Sequence, residues 1–205
     1  MKKFRFRFDI ILSIIFLLSI NFTTIAEEKN YKIIKLVNDQ VITNYDLEQR
    51  LKLFSVLNNA DINKENIDQL GKQMLVLMVD EKLQNEQIEF YEISINESEI
   101  NDYINRAFLN EEKDINKLIA SLKSNNININ ILKESIKITL GWNKLANRLY
   151  YRSSKINPLE LENAMKQDAS LSKQEAENML LQKQILLRAK KLLRDIKAEA
   201  NIETR

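Results

Sequence analysis

A chain of 205 residues with neither histidine nor cysteine lacks the usual general base near neutral pH, the commonest metal ligand, a thiol nucleophile and any disulfide. Its 31 basic and 29 acidic residues leave a formal net charge of only +2, too little to argue for nucleic acid as a partner. Carboxylates and lysines remain, but in no compact constellation, so a non-enzymatic protein is expected, with no catalytic, cofactor-binding or metal-binding residues and no cofactor.

The chain opens with cationic MKKFRFRF, then apolar IILSIIFLLSI, then NFTTIAEE. A positive start, a short apolar middle and small residues at Thr24 and Ala26 are the layout of a secretory signal peptide, residues 1–26, cut after Ala26. An uncleaved anchor is the alternative, because Phe4, Phe6 and Phe8 lengthen the apolar stretch, although Arg5, Arg7 and Asp9 interrupt it. The leader holds four of the basic residues and one of the acidic ones, so the remaining chain has a formal charge of about −1.

Next come YKIIKLV and VIT, separated by Asn38, Asp39 and Gln40. Asn and Asp tolerate left-handed backbone, so this reads as a short hairpin. Thr43 with Asp46 three residues later predicts a capping box and a helix start, and Leu47, Leu51 and Phe54 give that helix an apolar face. The start signal recurs at Asn96 with Glu99, at Asn157 with Pro158 and Glu160, and at Ser172 with Glu175. Each offers a short polar side chain to unpaired backbone N–H groups and a carboxylate to the first turn. Pro158 suits the first helical position because its missing N–H would have had no partner there.

Asn63 is expected to cap the long helix that follows it. Ile67, Leu70, Met74, Leu77 and Met78, widened by Leu75 and Val79, make a stripe broad enough for burial on more than one side. Ile100, Ile104 and Phe108, then Ile115, Leu118 and Leu122, mark two shorter helices. After the polar NNININ a helix is expected from about Ile131 to Tyr151, with Ile131, Ser135, Ile138, Trp142, Leu145 and Leu149 as its seam. YYRSSKI reads as a solvated helix end whose cations suit the dipole, in preference to a nucleic-acid contact.

A last long helix repeats Met179, Leu186, Leu193 and Ala200 every seven residues, with Ala189 and Ile196 between them and Ile185, Leu187 and Leu192 widening the stripe. The stripe is broader than a coiled-coil seam and Gln182 interrupts it, so packing back onto the earlier helices is expected. Ile202 and Thr204 then suit a strand added to the hairpin. The fold class is mainly α: a multi-helix domain with a small β hairpin joined by a C-terminal strand.

These segments also resemble a family. IIKLVNDQVITNYDLEQRLKL is similar to the opening of the SurA-type periplasmic chaperones, and LVLMVDEKLQNEQIEFYEISINESEINDYI and ILKESIKITLGWNKLANRLYYRSSKINPLELENAM resemble later parts of their N-terminal domain. The matching positions are Val37, Asn38, Asp39, Val41, Ile42, Asp46, Ile95, Ile136, Ile156, Pro158 and Glu160. The likeness covers residues 31 to 165, with a looser match of 172 to 205 to the family's last helix and strand. It implies a SurA N-terminal-like chaperone domain over 27–168, with 169–205 completing the same module. Family members commonly carry parvulin-type prolyl isomerase domains between those parts; here the interval between Met165 and Ser172 is only KQDASL, so isomerase activity is not expected.

The implied function is that of an ATP-independent periplasmic holdase for unfolded outer-membrane proteins or aromatic-rich peptides. Contact with the outer-membrane assembly machinery is a further candidate; nucleic acid and stable membrane insertion after cleavage are not expected. Two alternatives stand beside it: an envelope adaptor docking through the C-terminal helix, and a prolyl isomerase by family likeness only. Met74, Met78, Phe108 and Trp142 are the side chains on which a peptide groove would draw. Methionines and a lone Trp serve a core equally well, so none is assigned to a site.

Overall fold

The β hairpin forms where the alternation and the turn residues place it. Strands β1 (Ile33–Val37) and β2 (Gln40–Thr43) pair antiparallel, with Val37 opposite Gln40 and Leu36 opposite Val41. Asn38 takes the left-handed turn position, at φ 50°, which costs asparagine less than most residues. A third strand, β3 (Ile202–Thr204), lies antiparallel to the other edge of β1, giving the order β2-β1-β3. The computed structural model describes residues 31–108, 115–168 and 170–205, so the expected signal peptide lies outside the described residues.

Asn38 holds this corner together. Its backbone N–H donates to the Asn201 carbonyl at 2.8 Å, and the Asn201 N–H donates to Asn38 Oδ1 at 3.0 Å. Asn38 Nδ2 donates to Glu86 Oε2 at 2.8 Å, while Gln40 Nε2 donates to the other oxygen of the same carboxylate, also at 2.8 Å. One turn is thereby tied to a helix and to the strand that follows residue 201.

Seven α-helices are described: α1 (Asn44–Asn58), α2 (Ile67–Phe90), α3 (Glu97–Phe108), α4 (Ile115–Ser124), α5 (Ile129–Tyr150), α6 (Pro158–Gln167) and α7 (Lys173–Glu199). The mainly helical fold class with its small sheet is as expected from sequence. Thr43 and Asp46 form the capping box of α1, Asn96 and Glu99 exchange the equivalent bonds before α3, and Ser172 and Glu175 form the box of α7. Asn157 caps α6 through the Leu159 N–H, with Pro158 in the first turn.

Two boundaries differ. Asn63 does not cap α2 directly: its side chain accepts from the N–H groups of Glu65 and Asn66, closing a turn from which the helix starts at Ile67. Helix α5 begins at Ile129, two residues before Ile131, because Asn128 accepts from the Asn130 N–H. The polar interval is thus partly structural, and Ile127 within it is buried.

Helix α2 runs through the middle and packs against α1, α5, α7 and β1. Val37, Ile42, Met74, Met78, Val79 and Leu83 form the core under the sheet, joined by Leu193 and Ile196 of α7. Leu53, Ile100, Ile104, Leu122, Leu132 and Ile136 form a second core among α1, α3, α4 and α5. A third joins Ile88, Trp142 and Leu145 to Ile185 and Ala189 of α7. At this third core α5 comes so close to α2 that a β-carbon on Gly141 would stand 2.8 Å from Ile88 Cδ1. The absence of a side chain at 141 is what permits the approach.

The seam expected for α7 is half right. Leu193, Ile196 and Ala200 are covered by the sheet core and Ala189 by the third, but Met179 and Leu186 are exposed. Ala176 and Leu180 carry the burial against α6 instead, while Ile185, on the edge of the expected stripe, is buried in the third core and Leu187, on its other edge, is exposed. Leu77 and Ile67 of α2 are likewise exposed although their spacing fits the stripe. No helix among the described residues is long and apolar enough to cross a membrane.

Candidate functional site

A cleft of about 440 Å³ opens between β2, α1, α2 and α5. Its walls follow from helical spacing. Tyr45, Asp46, Gln49 and Arg50 share one face of α1; Met78, Glu81, Lys82 and Asn85 one face of α2; Ile131, Glu134, Ser135 and Ile138 one face of α5. The capping box sets the angle at which α1 leaves β2, and so brings its face opposite α5. Ile42 and Met78 form an apolar floor, with polar groups around it.

Arg50 and Glu81 form an ion pair across the cleft, with side chains only 12% and 24% exposed. Ser135 Oγ joins them, donating to Glu81 Oε1 at 3.0 Å and accepting from Arg50 Nη2 at 3.2 Å. A second, smaller cavity of about 240 Å³ begins on these same three residues and continues among Phe54, Leu57, Leu77, Tyr103 and Leu132. The pair therefore stands at the junction of a mixed compartment and a mainly apolar one.

Gln49 stands out as a buried polar side chain of the wall. It is 3% exposed, and its Oε1 has no hydrogen-bond partner. An unpaired buried group of this kind costs about 1–3 kcal/mol. Several neighbouring polar side chains are engaged: Asp46 accepts from Thr43, Asn85 donates to Glu89 at 2.7 Å, and Asn128 caps α5.

The side chains expected from sequence to serve a groove fall into different places. Met78 lines the larger cavity and Met74 the smaller, and both are buried in the sheet core at the same time. Trp142 is buried in the third core and lines neither cavity. The Phe108 side chain lies outside the described residues. Sequence reasoning missed Gln49 and the Arg50–Glu81 pair, although Ser135, a polar residue inside an apolar seam, was the signal that could have led to them. Among the described residues no group of three or more acidic side chains could hold a metal ion.

No family model matches the chain. Over 136 residues, or 66% of this chain, the sequence is 24% identical to the protein named Chaperone SurA of Saccharophagus degradans. The matched stretch amounts to 32% of that protein, so the chain corresponds to about a third of the length of its curated relative. In sequence, then, this helical module with its interhelical cleft is distantly similar to part of a SurA chaperone.

Proposed function

We propose that the protein is a nucleotide-independent holdase, exported to the periplasm by a signal peptide cleaved after Ala26, that binds unfolded outer-membrane proteins in the cleft between α1, α2 and α5. The observation that carries this reading is the cleft itself: an apolar floor within a polar rim, in a chain similar to a chaperone. Its volume of about 440 Å³ falls within the range of about 300–1,000 Å³ usual for ligand sites, enough for a short extended segment and its side chains. Strands destined for a membrane barrel alternate apolar and polar side chains, which suits such a mixed lining. The reading needs no bond-making step, and a client leaves when folding in the outer membrane buries its apolar residues more favourably.

Light scattering by an unfolded porin tests it. The purified protein is expected to suppress aggregation without nucleotide, and no suppression at several-fold excess overturns the reading. Glu134→Trp, an exposed position on the same wall of α5, is expected to weaken suppression by filling the cleft while changing stability by no more than about 1 kcal/mol.

A second reading, an envelope adaptor, draws on the α6–α7 side, where Leu159, Met179, Leu186 and Leu187 are exposed. Solution mass measured across concentration tests its self-associating form, and a strictly monomeric protein counts against that form.

A further inference from the structure

We infer that Gln49 is the group by which the cleft reads the main chain of a bound polypeptide, its carboxamide pairing with one peptide amide of an extended segment. This rests on the cleft being the client site, as proposed above.

Three observations lead to it. First, packing does not require a carboxamide at position 49: the residue is 97% buried beside Ile42 and Met78, where an apolar side chain of the same length would fill the space without an unpaired oxygen. Second, the lining selects against a charged ligand. Asp46, Glu81 and Glu134 stand against Arg50 and Lys82, close to balance, and Arg50 and Glu81 already neutralise each other. A neutral ligand with an N–H donor remains, and a peptide amide supplies both a donor and an acceptor to a carboxamide.

Third, a second cavity adjoins the cleft. The mixed compartment meets the apolar one at Arg50, Glu81 and Ser135, so a ligand reaching both passes that junction. A chain molecule does this naturally: a main-chain amide at Gln49, and an apolar or aromatic side chain beyond the junction among Phe54, Leu57, Leu77 and Tyr103. Because every residue of a client except proline carries the same amide, recognition through Gln49 is tolerant of sequence, and the second compartment adds a preference for apolar side chains.

The test uses a fluorescein-labelled neutral peptide of about ten residues alternating Leu and Ser, and the same peptide N-methylated at its serines, which removes those N–H donors. Fluorescence anisotropy is expected to show the N-methylated peptide binding the purified protein about tenfold more weakly. Gln49→Met is expected to bind the plain peptide about tenfold more weakly, to lose the distinction between the two peptides, and to melt at the same temperature or higher. Equal binding of both peptides by the unaltered protein overturns the inference while the cleft reading stands, and this comparison holds even if the variant folds poorly. A lower melting temperature for Gln49→Met also overturns it, because the carboxamide would then serve the fold. If the unaltered protein binds neither peptide, and an unfolded porin is not held either, the cleft reading falls and takes this inference with it.

Discussion

Two carboxamides near the start of the described chain meet opposite fates. Asn38, at the hairpin turn, has its side chain bonded on both sides, to Glu86 and to Asn201, and its backbone N–H bonded as well. Gln49, on the helix that leaves the hairpin, is more deeply buried and its oxygen is unpaired. At the clasp, polar groups specify one geometry because every partner is supplied from within the chain. At the cleft, the same chemistry is left partly unmet, which lowers stability and leaves a group able to gain from a ligand.

The contrast breaks most readily at the clasp. Asn38→Val removes the side-chain bonds to Glu86 and Asn201 and places a β-branched residue at φ 50°, so urea unfolding is expected to show a loss of about 3 kcal/mol. Gly141→Ala comes next. The new methyl meets a stiff Ile88 side chain at 2.8 Å, and the overpacking outweighs the gain in helix propensity by about 1–2 kcal/mol. Because α2 and α5 both wall the cleft, peptide binding is expected to weaken along with stability.

Glu81→Gln sharpens the comparison from the cleft side. It leaves Arg50 without its carboxylate partner, yet the groups border open cleft, so the expected loss is only about 1 kcal/mol, read by the same unfolding titration. The smallest effect lies at the N-terminus of α3. The Lys144 ammonium beside Glu99, at 2.6 Å, and the Asn96 backbone N–H hold the Glu99 carboxyl below its ordinary value. A pKa lowered by folding means stability present above the unfolded value and lost as pH falls through the folded one. Glu99→Gln is therefore expected to be slightly less stable than the unaltered protein at about pH 7, the difference shrinking as the pH falls through the lowered value of the Glu99 carboxyl.

Local chemistry made the scaffold readable in advance. Thr43 with Asp46, Ser172 with Glu175, and Asn157 with Pro158 announce helix starts through bonds between near neighbours, which a sequence displays directly. The added strand at Ile202 and Thr204 was legible from its β-compatible residues following a long helix. Periodicity was less informative, because it marks a face that can be covered and not the neighbour that covers it. Leu186 has the spacing of a seam residue, yet no helix lies over it, while Ile185 beside it is buried. The cleft was hidden for a related reason. Gln49 counts as polar in any apolar pattern, and its burial depends on β2 just before it and on α2 and α5 converging from positions up to 89 residues further along.

The order of the sheet sets a timetable for the molecule's birth. Strand β1 emerges from the ribosome with β2 directly behind it, but its other neighbour arrives far later, since Lys35 and the Thr204 hydroxyl it donates to are 169 positions apart. Until β3 is synthesised, one edge of the central strand stays open, and before residues 197 to 201 are made neither Asn201 nor the Lys197–Asp80 ion pair exists to steady it. Completion of the sheet thus waits until Ile202–Thr204 have been made, a schedule that keeps a nascent chain from locking its sheet while the helices between β2 and β3 are still being synthesised.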